Sequence, residues 1–248
     1  MKRIFQLITA NKWKINFFML LTFSMLSCGI NEDEEIANNI LYAGLFTDSR
    51  DNHEYKWVKI GEQTWMAENL AYLPAVNCVK PDSTYLPHYY IYGYDDTNVK
   101  IAITTSNYNM YGVLYDWKAA MKACPKGWHL PSDTEWKHLE KSLGMTQTQA
   151  DDIFPAYRGT DQGSKMKNTV GWINNGNGTN ISGFSALPGG FRFANGNFGF
   201  VEDFGYWWSS EERSDEYAWS RGLYYKTNNV YRSASFKENG FCVRCLLD

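Results

Sequence analysis

Alternating apolar and polar positions predict a β-hairpin where the globular pattern begins. Tyr55, Trp57, Val58 and Ile60 precede a turn at Gly61, and a second apolar segment follows. Short aromatic and β-branched segments around a glycine are typical of two antiparallel strands. Residues 74–110 have weak periodicity and many Tyr, Asn, Asp and Pro residues, which predicts a long surface excursion.

The next segments predict three helices, and each begins with an N-cap residue. Asp116 is placed to cap a helix over "WKAAMKAC", which Pro125 ends. In the second helix Ser132 and Glu135 form a capping box, Gly144 supplies the stop, and the apolar stripe consists of Trp136, Leu139 and Leu143. A smaller capping box at Thr146–Gln149 predicts a short third helix.

After residue 152 the pattern changes to short segments separated by Gly and Asn. The Asn195-Gly196 pair between aromatic segments predicts a hairpin. In "GYWWSS" (205–210) an extended strand would point Trp207 and Trp208 to opposite faces, so we expect one of the two rings to be buried. Two or three helices followed by short antiparallel strands and long loops predict an α+β fold in one domain.

The first 27 residues have the pattern of an export signal. Four cations precede an uncharged run from Ile15 to Ser27, which is too short to span a bilayer. The sequence "SMLSCG" resembles a bacterial lipobox, so we predict that Cys28 is lipidated; an ordinary signal peptide is the alternative. Residues 28–50 then form the lipidated tether and domain entry, and residues 51–248 form the domain. The acidic "GINEDEE" resembles outer-surface export signals of some Bacteroidetes.

Composition and charge narrow the function classes. The chain contains 24 Lys and Arg and 27 Asp and Glu residues; residues 1–27 hold four of the cations and no acid, so the exported part has a net charge of −7. This charge argues against a nucleic-acid partner, and the membrane is expected as a partner only through the lipid anchor. The 17% aromatic content instead indicates a fold whose surface also carries rings.

Four further cysteines suggest disulfides in an exported chain. "CVRC" (242–245) also suggests a redox or zinc site, but residues three apart in a strand lie on opposite faces and about 10 Å apart. We therefore favour Cys124–Cys245, with Cys78–Cys242 as the remaining pair.

Five segments in order resemble the Fibrobacter succinogenes major paralogous domain. They are "VKIGEQTWMAENLAY" (58–72), "YGVLYDWKAAMKACPKGWHLPSDTEW" (111–136), "GFSALPGGFR" (183–192), "GYWWSS" (205–210) and "GFCVRCLLD" (240–248). The resemblance implies a C-type-lectin-like fold and an exported protein or lipoprotein, with no established activity. Relatives commonly have Ser where this chain has Cys242, and Cys78 is also an addition to the family pattern. The two extra cysteines are therefore expected to form a disulfide with each other.

The aromatic stretch 205–235 is the candidate ligand surface for a glycan or a protein. Its rings offer apolar faces and its amides and guanidinium groups offer hydrogen bonds. The predicted ligand-binding residues are Trp208, Trp219, Arg221, Tyr224, Tyr225, Asn228, Tyr231 and Arg232. The alternative is that most of these rings fill the core.

Catalytic and metal signals are weak. The sugar-site strings Glu-Pro-Asn and Trp-Asn-Asp of calcium-dependent lectins do not occur, and His129 in "GWHLPS" is typical of a structural histidine. We therefore predict no cofactor, no metal and no catalytic residue, and a non-enzymatic binding protein of the outer membrane, exposed at the cell surface. The alternatives are an enzyme of the formylglycine-generating type, with "CVRC" as a working dithiol, and an adhesin or scaffold subunit.

Overall fold

A computed structural model of the chain describes residues 43–78, 86–153 and 157–248. The predicted signal peptide, Cys28 and most of the predicted tether lie outside these residues. Within them the strands are β1 (Ala43–Thr47), β2 (Glu54–Ile60), β3 (Gln63–Met66), β4 (Tyr89–Tyr90), β5 (Leu114–Tyr115), β6 (Trp128–His129), β7 (Tyr157–Arg158), β8 (Gly189–Arg192), β9 (Phe198–Val201), β10 (Phe204–Glu212), β11 (Tyr217–Tyr224), β12 (Val230–Phe236) and β13 (Leu246–Leu247). The helices are α1 (Val99–Ala102), α2 (Ser106–Tyr111), α3 (Trp117–Ala120), α4 (Asp133–Ser142), α5 (Gln147–Asp151) and α6 (Gln162–Met166). This mixture of short helices and mainly antiparallel strands confirms an α+β fold.

The larger strands form two sheets. One has the order β1-β2-β3-β13-β6 and the other β7-β12-β11-β10-β8-β9, while β4 pairs with β5. The predicted hairpin at Gly61 joins β2 and β3, and the predicted hairpin at Asn195-Gly196 joins β8 and β9. Strand β1 pairs along β2, so the folded unit includes residues that we assigned to the tether.

The capping signals place the helices where we expected them. Asp116 accepts a hydrogen bond from the backbone of Ala119, and complete capping boxes occur at Ser132 and Thr146. Helix α3 is shorter than predicted because the chain turns after Ala120 through backbone bonds three residues apart.

The prediction of an irregular surface excursion over 74–110 is wrong in its described part. This part contains β4, α1 and most of α2, and Tyr90 and Ile91 are buried. Asn98 and Thr105 cap the two helices through their side-chain oxygens. A four-residue and a six-residue helix are too short to produce a recognisable apolar period.

The tail of the chain runs through the interior. Residues 241–246 are all buried. The backbone bonds of this segment reach Tyr115 through Phe241, Tyr206 through Cys242 and Met66 through Cys245. A disulfide joins Cys124, after α3, to Cys245 in the tail, which confirms the first predicted bridge.

The second predicted bridge, Cys78–Cys242, is wrong. Cys242 is a fully buried thiol whose sulfur lies 3.3 Å from the amide nitrogen of Asn69, and Cys78 is exposed. Burial raises the pKa of the Cys242 thiol to about 12. Because Cys245 is bonded to Cys124, no dithiol exists at "CVRC".

Strand β10 explains why two adjacent tryptophans occur in one short segment. Both rings are fully buried, so the expectation that only one would be is wrong. Trp207 enters a core cluster with Trp65 and Trp136, and Trp208 enters a second cluster with Tyr115. The sheet is therefore covered on both faces along this part of β10.

No helix in the described part of the chain has the length and apolar character to cross a membrane.

Candidate functional site

An open groove with an aromatic lining lies on one face of the six-stranded sheet. Its cavity volume is about 500 Å³. We call it the aromatic groove; its lining consists of Phe191, Phe193, Ala194, Asn195, Tyr206, Tyr217, Tyr231, Ser233, Ala234, Ser235, Phe236, Asn239 and Phe241.

Strand register builds the floor of the groove. Tyr206 on β10 lies opposite Gly222 on β11, which lies opposite Tyr231 on β12. Gly222 leaves room for the Tyr206 ring, because a Cβ atom at this position would approach Tyr206 Cε1 to 2.8 Å. The rings of Tyr206 and Tyr231 consequently meet edge to face at 6.2 Å across the glycine.

The β8–β9 hairpin supplies an aromatic wall. Phe191 contacts Phe193 at 4.5 Å and stacks on Phe200 at 5.4 Å, measured between ring centroids. Phe200 is 46% exposed and has a φ of 65°, a left-handed backbone conformation that is unfavourable for an aromatic residue. Strained residues of this kind cluster at functional sites, which directs attention to this wall.

Further rings extend this aromatic face beyond the groove. Tyr157 lies 5.1 Å from Tyr231, and Phe204 lies 5.6 Å from Tyr206. Tyr224 stacks on Phe204 at 4.2 Å, with an angle of 10° between the ring planes.

The polar groups of the groove are carboxamides and hydroxyls. Asn195 Oδ1 accepts a hydrogen bond from the backbone of Asn197, and Asn239 Oδ1 accepts one from Ala194. The hydroxyl groups of Ser233 and Ser235 lie 3.3 Å apart and share hydrogen bonds with Ser220 on the neighbouring strand β11. The lining contains no Asp, Glu, Lys, Arg or His side chain. Burial raises the pKa of the Tyr206 phenol, so this ring also stays neutral.

The opposite face of the same strands packs against α4 through buried charges. Arg221 donates to Asp133 at 2.8 Å and to Glu140 at 2.5 Å, and Arg232 forms a two-pronged ion pair with Asp133 at 2.7 and 2.8 Å. Arg158 also donates to Glu140, at 2.8 Å. The placement of Arg221 and Arg232 on the ligand surface is therefore wrong, because both guanidinium groups are buried and paired with carboxylates.

Other predicted ligand residues are also separated from the groove. Trp208 is covered by Phe241 at 4.4 Å between ring centroids, so its prediction as a ligand-contacting ring is wrong. Trp219 is half-buried on the charged face, where the Arg232 guanidinium lies 3.8 Å from its ring centroid. Tyr225 packs against the first core cluster, and exposed Asn228 lies in the β11–β12 turn, where its carbonyl accepts a hydrogen bond from Ser164.

Of the eight predicted ligand residues, the structure thus places Tyr231 in the groove and Tyr224 on the same face. Sequence reasoning missed the contribution of Phe191, Phe193, Asn195 and Asn239. The hairpin signal at Asn195-Gly196 already indicated where two of them lie. The sequence did not show that this hairpin and β12 line the same groove, because this depends on the order of the strands in the sheet.

His129 forms a smaller polar cluster away from the groove. Its Nδ1 atom lies 2.7 Å from Asp248 and its Nε2 atom lies 3.0 Å from Glu135. Among the residues that the structure describes, no group of three or more His, Cys, Asp or Glu side chains is arranged to hold a metal ion.

Comparison with family models decides the relationship of this chain. The model of the Fibrobacter succinogenes major domain matches residues 58–246. The chain belongs to this family. No curated protein and no solved structure matches the chain. The Fibrobacter succinogenes major domain thus contains the entire lining of the groove and the Cys124–Cys245 disulfide, while β1 precedes the matched range.

Proposed function

We propose that this chain is an exported, lipid-anchored protein of the outer membrane that binds a glycan or a protein ligand without catalysing a reaction. The aromatic groove is its ligand surface. The observation that carries the proposal is a concave cluster of rings edged by carboxamides and hydroxyls, since most ligand sites combine apolar area with a few polar groups.

The proposal includes a C-type-lectin-like fold. Three features support it: the two sheets, the interior tail and the disulfide from the end of α3 to that tail. The long connection between α6 and β8, residues 167–188, is a fourth supporting feature.

Glycan and peptide arrays probed with the purified full-length chain test the proposal. We expect binding to one class, and Tyr231→Ala should weaken that binding about tenfold because it removes a ring from the groove floor. Tyr94→Ala is the control, since Tyr94 is a half-buried tyrosine outside the groove whose hydroxyl donates to the carbonyl of Asn98.

Equal binding by the two variants and the parent chain would place the ligand elsewhere and refute the groove. Light scattering should show a monomer in the absence of ligand. A self-associating chain whose assembly depends on Tyr231 would instead support an adhesin or scaffold subunit.

A further inference from the structure

We infer that the aromatic groove takes an uncharged, extended glycan chain. The inference rests on the proposed function and narrows it to one ligand class.

The first argument is the separation of charge across the sheet. Tyr231 and Ser233 face the groove, while Arg232 between them faces α4 and forms an ion pair with Asp133. Strand β12 contributes more lining residues than any other strand, and its arginine points away from the groove. A carboxylate, sulfate or ammonium group would find no oppositely charged partner in the groove and would lose its hydration there without compensation.

The second argument is the kind of hydrogen bond that the groove offers. The amide oxygens of Asn195 and Asn239 are held by backbone N–H groups, and no hydrogen bond within the described residues uses their Nδ2 groups. These donors, together with the Ser233 and Ser235 hydroxyls, match the hydroxyl groups of a sugar. The rings of Tyr206, Phe191 and Phe193 match its apolar C–H face.

The third argument is the extent of the aromatic face. The contact from Tyr231 to Tyr157 and the contacts from Tyr206 to Phe204 and Tyr224 continue the rings on two sides of the groove. A single sugar unit covers only part of this surface. A chain of several units can stack along it, and each additional contact adds to the affinity.

Affinity electrophoresis of the full-length chain tests this inference. Native gels would contain a neutral polysaccharide (xyloglucan, glucomannan or dextran) or the acidic polygalacturonate. We expect retardation by at least one neutral polysaccharide and none by polygalacturonate, and we expect added NaCl to leave the retardation unchanged because no ion pair forms. Longer oligosaccharides should compete with the polysaccharide better than the disaccharide of the same sugar.

Three variants connect this binding to the groove. Phe236→Ala removes a ring that is 44% exposed, so it leaves the core intact, and it should weaken binding about tenfold. Asn239→Asp keeps the acceptor for the Ala194 N–H group but introduces a charge, and it should also weaken binding. Tyr94→Ala, outside the groove, should bind like the parent chain, and thermal melting shows that each variant is folded.

Absence of retardation by all three neutral polysaccharides overturns the inference, as does salt-sensitive binding to polygalacturonate. If a peptide or protein ligand then binds in a manner that depends on Tyr231, the binding function stands and only the glycan assignment fails. If a neutral glycan binds but Phe236→Ala and Asn239→Asp leave its affinity unchanged, the groove itself is the wrong surface.

Discussion

Cys242 is a thiol in a fully enclosed position. Its pKa is raised to about 12 by burial, so the reactive thiolate is rare at neutral pH. We expect iodoacetamide to leave Cys242 unmodified in the native chain and to alkylate it after unfolding in guanidinium chloride. Peptide mass spectrometry measures this difference.

Cys242→Ala serves as the control because it removes the corresponding peptide signal. Detection of a Cys78–Cys242 disulfide peptide in unreduced protein would contradict the structure.

His129 links two carboxylates that are distant from each other in sequence. Burial opposes its charged form, but hydrogen bonds to Asp248 and Glu135 outweigh this effect and raise the pKa of His129 above its ordinary value of 6.5. A raised pKa in the folded state stabilises the fold at pH values below 6.5, and this contribution is lost as the pH rises through the folded-state pKa.

We therefore expect His129→Gln to lower the melting temperature at pH 5.5, by no more than about 2 °C because the group is partly exposed, and to have a smaller effect at pH 8.5. Melting curves of both chains across this range are the measurement. A difference that grows with pH would refute the proposed charge state.

A network of buried ion pairs lies between α4 and the face of the six-stranded sheet that is opposite the groove. Removing one charge from such a network leaves its partners buried without compensation. We expect Asp133→Asn to reduce the free energy of unfolding by about 3–5 kcal/mol, because Arg221 and Arg232 both lose their shared carboxylate. Denaturation in urea measures this loss.

Asp151→Asn is the matched control, since Asp151 is exposed and pairs with Lys137 at 2.8 Å. Its effect should remain within about 0.5 kcal/mol. Equal effects of the two substitutions would show that the network contributes no more than a surface pair.

The Asp133 carboxylate should also make the stability of the fold sensitive to acid. Burial would raise the pKa of Asp133, but hydrogen bonds and charges from Arg232 and Arg221 outweigh burial and lower it below the ordinary 3.8. A lowered pKa stabilises the fold above pH 3.8, and this stability is lost as the pH falls toward the folded-state pKa. The acid transition of Asp133→Asn should therefore show a weaker dependence on pH than that of the parent chain.

Local signals explain why the sequence predicted most elements but few of their contacts. A capping box or an Asn-Gly turn is complete within two to four residues, so Ser132, Thr146 and Asn195 could be read directly. The partner of a side chain depends on which element covers it. Phe241 covers Trp208, and Asp133 forms an ion pair with Arg232. The residues next to Trp208 and Arg232 in the sequence do not indicate either contact.

For the groove, alternation along a single strand would have corrected part of the prediction. Tyr231 and Arg232 were both assigned to the ligand surface, although adjacent residues of a strand must face opposite sides. Applying that rule to β12 would have separated them. The contribution of the β8–β9 hairpin remained unpredictable, because β8 joins β10 by a parallel pairing at one residue pair.

At the level of the whole chain, attachment to the membrane remains a proposal that depends on Cys28. The cysteine lies outside the described residues, and the lipobox sequence is its support. We expect radiolabelled palmitate to be incorporated into the parent chain and not into Cys28→Ser, since the substitution removes the thiol that would carry the lipid. The acyl chain would contribute about 0.8 kcal/mol per buried CH₂ group to membrane binding. Cys78→Ser should keep the label, and a labelled Cys28→Ser chain would refute lipidation at this position.

The position of the tail also affects the order in which the elements of the protein can fold. Strand β3, the β4–β5 pair and strand β10 all contact residues 241–246, which follow all of these elements in the chain. Pairings between residues so far apart form slowly, and the earlier elements expose apolar surface until they form. The two sheets are therefore expected to be completed late in folding, and the apolar surfaces of the earlier elements stay open to aggregation until residues 241–246 have docked.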